Sequence, residues 1–177
     1  ARGDQRLLVT QIKGETHALL YRARVPGTKE PVAFSSPWRT ITIDVIEDVT
    51  DQVKLATDNT GNFEISVPLT TIHWQPKLGE IYQADLGVLR GANGQTIQRV
   101  YWMNKATAIT ADVPSEAQLT PKLWGKWRIV DEPAGVRSRS FIELLQEEQT
   151  PTQNLVSHTG TCHVVEGKNE VLINCST

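Results

Sequence analysis

The feature that most constrains this chain is a series of short β-branched runs with no amphipathic helix long enough to serve as a crossover between them. Thr, Val and Ile together number 47 of the 177 residues and fall in alternating stretches bounded by turn residues, which is the pattern of antiparallel strands. Strands are expected over residues 5–12, 16–24, 38–46, 52–57, 62–69, 80–90, 95–103 and 126–130. Lys13-Gly14-Glu15, Asp58-Asn59-Thr60-Gly61-Asn62 and Gly91-Ala92-Asn93-Gly94 carry the turn chemistry between them. Residues 26–37 contain three prolines and are expected to cross irregularly between sheets. A short helix is expected over 115–123, after Pro114. Without βαβ units, the reading is all-β: an antiparallel, immunoglobulin-like β-sandwich.

Composition removes several classes of function. Lys and Arg total 18 against 20 Asp and Glu, for a net charge of -2, so the basic footprint of a nucleic-acid binder is missing. Mean hydropathy is -0.31, and no apolar run approaches the roughly 20 residues of a membrane-spanning helix. No membrane insertion is expected. The chain opens on Ala1 with no initiator Met, and Leu7-Leu8-Val9 is too short for a signal-peptide core. It reads as a processed or partial polypeptide.

The character changes after Asp131. Residues 132–177 hold three basic and six acidic residues. They read as a short mixed extension of unassigned role, appended to a domain spanning 1–131. A helical run is expected over 140–149, then a polar link at 150–154, then a hairpin of 162–166 with 170–175. If Lys168-Asn169 forms its turn, Cys162 faces Cys175 across the ladder. A disulfide and two free thiols both fit that count.

The hairpin of 80–90 with 95–103 is the first place to look for chemistry. A regular register puts Tyr82, Ala84, Leu86 and Val88 on one face with Ile97, Tyr101 and Met103. Gln83, Asp85, Val100, Trp102 and Asn104 then share the other. A carboxylate and two amides beside an indole plane suit a sugar, whose apolar C–H face stacks on tryptophan while its hydroxyls take the polar groups. The bland alternative puts Trp102 in the core and pairs Asp85 with a basic residue across the strands. Trp38 and Arg39 follow Ser35-Ser36-Pro37, and Trp74 lies in Ile72-His73-Trp74-Gln75-Pro76. A loop tryptophan is either a packed lid or a ligand platform. Trp124 and Trp127, flanking Gly125, read as core.

Asp44, Glu47, Asp48 and Asp51, or the 58–62 loop, offer oxygen ligands for calcium, but Gly61 is misplaced for an EF-hand and a hairpin turn with no ion is the preferred account. The four histidines form no i, i+4 pair, and the sequence has no HExxH, GxSxG, P-loop or CxxC motif. Catalytic constellations are therefore thin, and a pair of carboxylates for glycoside hydrolysis has no sequence signature to look for.

Pro76-Lys77-Leu78-Gly79 leading into Glu80-Ile81-Tyr82-Gln83-Ala84-Asp85-Leu86, then Arg99-Val100-Tyr101-Trp102, Pro114, and Leu123-Trp124-Gly125-Lys126-Trp127-Arg128-Ile129 together resemble the closing half of carbohydrate-binding module family 9 and DOMON-like sandwich domains. The resemblance covers roughly residues 5–131. The family's opening Asp-Gly-x-x-Asp/Glu-Trp strand is missing, so the sandwich is expected to lack its first strands, and a partner chain or domain is a candidate to complete the sheet. The resemblance implies a non-catalytic module of a secreted or periplasmic protein, often joined to a glycan-degrading enzyme, that binds a polysaccharide or oligosaccharide. Trp102 and its hairpin neighbours stand at the matching positions. Some DOMON-like relatives bind haem b through Met and a His or Lys, which makes Met103, the only Met, an alternative focus. A structural or protein-interaction sandwich is the remaining alternative.

Overall fold

The computed structural model describes residues 2–59, 61–106, 113–131, 140–145, 161–167 and 170–176. It is all-β and sandwich-like, with strands arranged in antiparallel sheets and helix confined to single turns. β1 (Gln5–Ile12) and β2 (Glu15–Arg22) are joined by Lys13 and Gly14, both at positive φ (55° and 86°). This is the backbone that a two-residue hairpin turn demands, and glycine supplies half of it without strain.

The chain divides into two compact units. The first comprises Ala1–Leu8, Leu19–Asp48 and Gln83–Lys126. Within it β2 pairs antiparallel with β5 (Val45–Asp48), and β3 (Val32–Ser35) pairs with β4 (Thr40–Ile43). β9 (Gly87–Ala92) pairs with β10 (Gln95–Tyr101). A helical turn, α1 (Val113–Ala117), and a 3-10 turn at Pro121–Leu123 complete it. Leu20, Ile43, Pro114 and Ala117 are buried there.

The second unit comprises Val9–Ala18, Val49–Tyr82 and Trp127–Thr177. It holds most of a seven-stranded sheet. β6 (Lys54–Thr57) and β7 (Phe63–Pro68) lie at one end, and β11 (Gly125–Asp131) and β8 (Ile81–Ala84) at the other. Between β7 and β11 run β14 (Glu170–Ser176), β13 (Thr161–Gly167) and β12 (Ser140–Leu145), in that order. Strands from both sides of residue 131 therefore share one sheet. Val53, Val67, Trp127 and Ile129 are buried in this unit, and a 3-10 turn at Thr50–Gln52 is tied in by Ala18, whose N–H donates to Thr50 Oγ1 at 3.0 Å.

Several expected elements are rearranged, each for a local reason. The run 38–46 breaks at Asp44, whose carboxylate accepts from Arg24 and from the Val25 N–H, so β4 and β5 enter different sheets. The run 80–90 breaks at Asp85, whose Oδ1 accepts the Leu86 N–H at 2.9 Å; a carboxylate that bonds the next backbone amide competes with the ladder. β3 forms inside the proline-bearing segment expected to be irregular, directly after Pro31 and in a two-stranded sheet, where proline is tolerated. Pro121 stops the expected 115–123 helix at one turn and restarts it as 3-10. Residues 140–145, expected to be helical, are strand β12, with Phe141 facing Val165; sheet pairing overrides a weak local preference. The rest of that run, the 150–154 link and Lys168-Asn169 lie outside the described residues.

Candidate ligand-binding site

Among the described residues, the β3–β4 hairpin builds the most open aromatic position. Ser35 faces Thr40, and the Ser36 N–H donates to the Arg39 carbonyl at 2.8 Å, which closes a turn with Pro37 and Trp38 as its two central residues. Pro37 fixes the backbone angle that the first central position needs. Ser36 Oγ also receives the N–H groups of Trp38 and Arg39, each at 3.4 Å. Phe34 anchors the hairpin against Tyr21, with ring centroids 6.4 Å apart. The turn leaves Trp38 at the tip, 82% exposed.

Arg39 beside it is held. Its Nη1 donates to Gln118 Oε1 at 2.8 Å and its Nη2 to Ser115 Oγ at 2.5 Å. α1 and Gln118 just beyond it, which supply these acceptors, are gripped by two more arginines. Arg6 donates to the carbonyls of Glu116 and Gln118 at 2.6 and 3.0 Å, satisfying groups that the end of a helix leaves open. Arg99, buried, forms an ion pair with the Glu116 carboxylate.

Next to this network a cleft of about 430 Å³ opens in the first unit, within the size range of small-ligand sites. Ile41, Ile43, Leu119 and Pro121 are its apolar lining residues, and Asp4, Arg24, Thr40, Thr42 and Gln118 its polar ones. Gln118 thus belongs to both the cleft and the Arg39 network. Arg24 is oriented by Asp44 Oδ1 at 2.9 Å.

The hairpin singled out in the sequence is built differently. Ala92 faces Gln95 across Asn93 and Gly94, both at positive φ (52° and 75°), and the register shifts between Thr96 and Gln98. The extra residue is Ile97, a bulge that moves every later residue to the other face. Val100 therefore faces Val88, and Tyr101 faces Gly87, its ring lying against the glycine backbone. Asp85 Oδ1 accepts the Met103 N–H at 3.0 Å and Oδ2 the Asn104 N–H at 2.8 Å. Asn104 uses its own amide on Thr120 Oγ1 and the Ala106 N–H. Trp102, half-buried, packs with Met103 against Gly125, where an added Cβ would stand 2.6 Å from Met103 Cγ. Gln83 is exposed on β8. The structure brings Asp85, Trp102 and Asn104 together, but around the backbone rather than around an open surface.

Trp74 lies in the second unit, edge-on to Tyr82 with centroids 5.2 Å apart. Tyr82 Oη donates to Glu80 Oε2 at 2.5 Å and accepts the Lys77 N–H at 3.1 Å. The Tyr82 hydroxyl, along with Lys77 beside it, holds the Glu80 carboxyl below its ordinary value, while burial and the Glu80 bond push the Tyr82 phenol up.

Arg22 and Arg24 engage Glu47 and Asp44, and Asp58 closes its own loop by accepting from Asn62. Among the described residues no group of three or more His, Cys, Asp or Glu side chains gathers as a metal ion requires. Met103, the focus of the haem alternative, packs on Gly125 and is not among the residues that line the cleft.

Arg24, Thr40, Thr42 and Gln118 were not apparent from sequence, because the cleft gathers segments far apart in the chain. The fold and site define an all-β protein with an exposed tryptophan beside a polar-rimmed cleft. No family model, curated protein or solved structure matches the chain. Among the described residues no helix is long and apolar enough to cross a membrane.

Proposed function

We propose that this chain is a non-catalytic carbohydrate-binding module of a secreted or periplasmic protein, and that it holds a glycan on Trp38 with the neighbouring cleft supplying polar contacts. The observation that carries the reading is Trp38 itself, 82% exposed at the tip of a hairpin whose turn is held by Ser36. Burying an indole of about 200 Å² is worth about 5 kcal/mol, so leaving it in water forgoes a large stabilisation unless a ligand covers it. A pyranose ring is suited to cover it, with C–H groups against the indole and hydroxyls toward planar partners. Thr40, Thr42, Arg24 and Gln118, residues that carry hydroxyl, guanidinium and amide groups, line one cleft. The sequence resemblance to sugar-binding sandwich domains points the same way, although it drew attention to Trp102 rather than Trp38.

The test is affinity electrophoresis and a glycan array with the full chain, followed by titration of tryptophan fluorescence with any glycan retained. Binding that is lost in Trp38→Ala at unchanged melting temperature supports the proposal. No retention on any polysaccharide, or retention unaffected by the substitution, overturns it; the latter moves attention to Trp102 and Trp74.

A further inference from the structure

We propose that Cys162 and Cys175 are the two halves of a disulfide that staples β13 to β14. The two residues occupy facing positions in the antiparallel ladder. The register runs Gly167 with Glu170, Glu166 with Val171, Val165 with Leu172, Val164 with Ile173, His163 with Asn174, and then Cys162 with Cys175. Directly facing residues of an antiparallel pair have Cα atoms about 4.5 or about 5.5 Å apart, and both separations lie inside the range of about 4.4–6.8 Å that a disulfide spans. A slip of one residue would instead set Cys162 opposite a residue with no thiol.

The placement gives the bond a structural consequence. β14 also pairs with β7, Cys175 facing Phe63, so β14 is the strand through which β6 and β7 join the rest of the seven-stranded sheet. A bond between Cys162 and Cys175, at the end of the ladder away from Gly167 and Glu170, prevents β14 from peeling away together with β7.

The reaction is thiol–disulfide exchange with a small disulfide oxidant such as glutathione disulfide. One cysteine thiolate attacks a glutathione sulfur and expels the other glutathione as a thiolate, leaving a mixed disulfide. The second cysteine thiolate attacks the protein sulfur of that mixed disulfide and expels the remaining glutathione. Two protein thiols are oxidised by two electrons, one glutathione disulfide is reduced to two glutathione molecules, and the two protein protons pass to them.

The test treats the full chain, unreduced, with glutathione disulfide near neutral pH, then with iodoacetamide, and reads the intact mass and a non-reducing peptide map. The expected product has lost two hydrogens, takes up no alkyl group and yields one linked peptide containing both cysteines. Dithiothreitol should then lower its melting temperature, while the Cys162→Ser/Cys175→Ser variant shows no such redox-dependent shift. Two alkylated thiols, stable glutathione adducts on both cysteines, or a bond only between chains would each overturn the proposal. So would an intramolecular bond whose reduction leaves the melting temperature unchanged.

Discussion

Arg39 donates to the side-chain carbonyl of Gln118, 79 residues away in sequence, and so ties the hairpin that carries Trp38 to the segment following α1. In the proposed site this bond fixes the platform relative to the cleft wall, which reduces the ordering that a glycan must impose on binding. Arg39→Ala is expected to weaken glycan binding by about tenfold, equivalent to about 1.4 kcal/mol, with a stability change well below that of a core substitution. Isothermal titration of the variant against the wild type reads the first effect, and thermal melting the second. An affinity equal to wild type would remove Arg39 from the site.

Asp85 accepts the backbone N–H groups of Leu86, Met103 and Asn104. Asp85→Ala leaves all three without that acceptor in a half-buried setting, where each unsatisfied group costs about 1–3 kcal/mol. We expect a loss of roughly 3 kcal/mol or more in denaturant unfolding for Ala and a smaller one for Asp85→Asn, which keeps one acceptor oxygen. If Asp85 were instead a ligand contact alone, both variants would melt like the wild type.

Gly125 accommodates Trp102 and Met103 against its backbone, and an added Cβ would lie 2.6 Å from Trp102 Cη2. Gly125→Ala should therefore destabilise by about 1–3 kcal/mol through overpacking and change the environment of Trp102. The measurements are a melting curve and near-ultraviolet circular dichroism; a wild-type result in both would show that the indole moves aside freely.

The Tyr82–Glu80 bond has a pH window that follows from the two shifts. The Glu80 carboxyl titrates below its ordinary value of 4.5, so its contribution is present above that value and lost as pH falls through the lowered one. The Tyr82 phenol titrates above 10.0, so its contribution is present below that value and lost as pH rises through the raised one. Emission from the adjoining Trp74 should change at both acid and alkaline limits. In Tyr82→Phe the alkaline step should vanish and the acid step should move toward 4.5.

Much of the strand layout is legible in the sequence because its signals are local. Lys13-Gly14 and Asn93-Gly94 take the positive φ values that two-residue turns need, and the alternating runs on either side pair as antiparallel strands. Asp44 and Asp85 show where legibility stops. Each reads as one residue of an unbroken strand, and each ends it through hydrogen bonds to partners that sequence spacing does not reveal. Ile97 is a further case, since a one-residue bulge reverses the faces of all that follow. Trp38 could be marked as a loop aromatic, but the difference between it and Trp102 depends on Gly125, 23 positions from Trp102 in sequence, offering its bare backbone to the second indole.

Pro68 of β7 faces Glu170 of β14, so these neighbours leave the ribosome roughly a hundred residues apart, and non-local pairings of that kind are slow to form. While the nascent chain waits for β14, one side of β7 has no ladder to join, a hazard for association with other chains. Synthesis thus reaches the strand that closes this gap only after every other strand of the sheet has emerged.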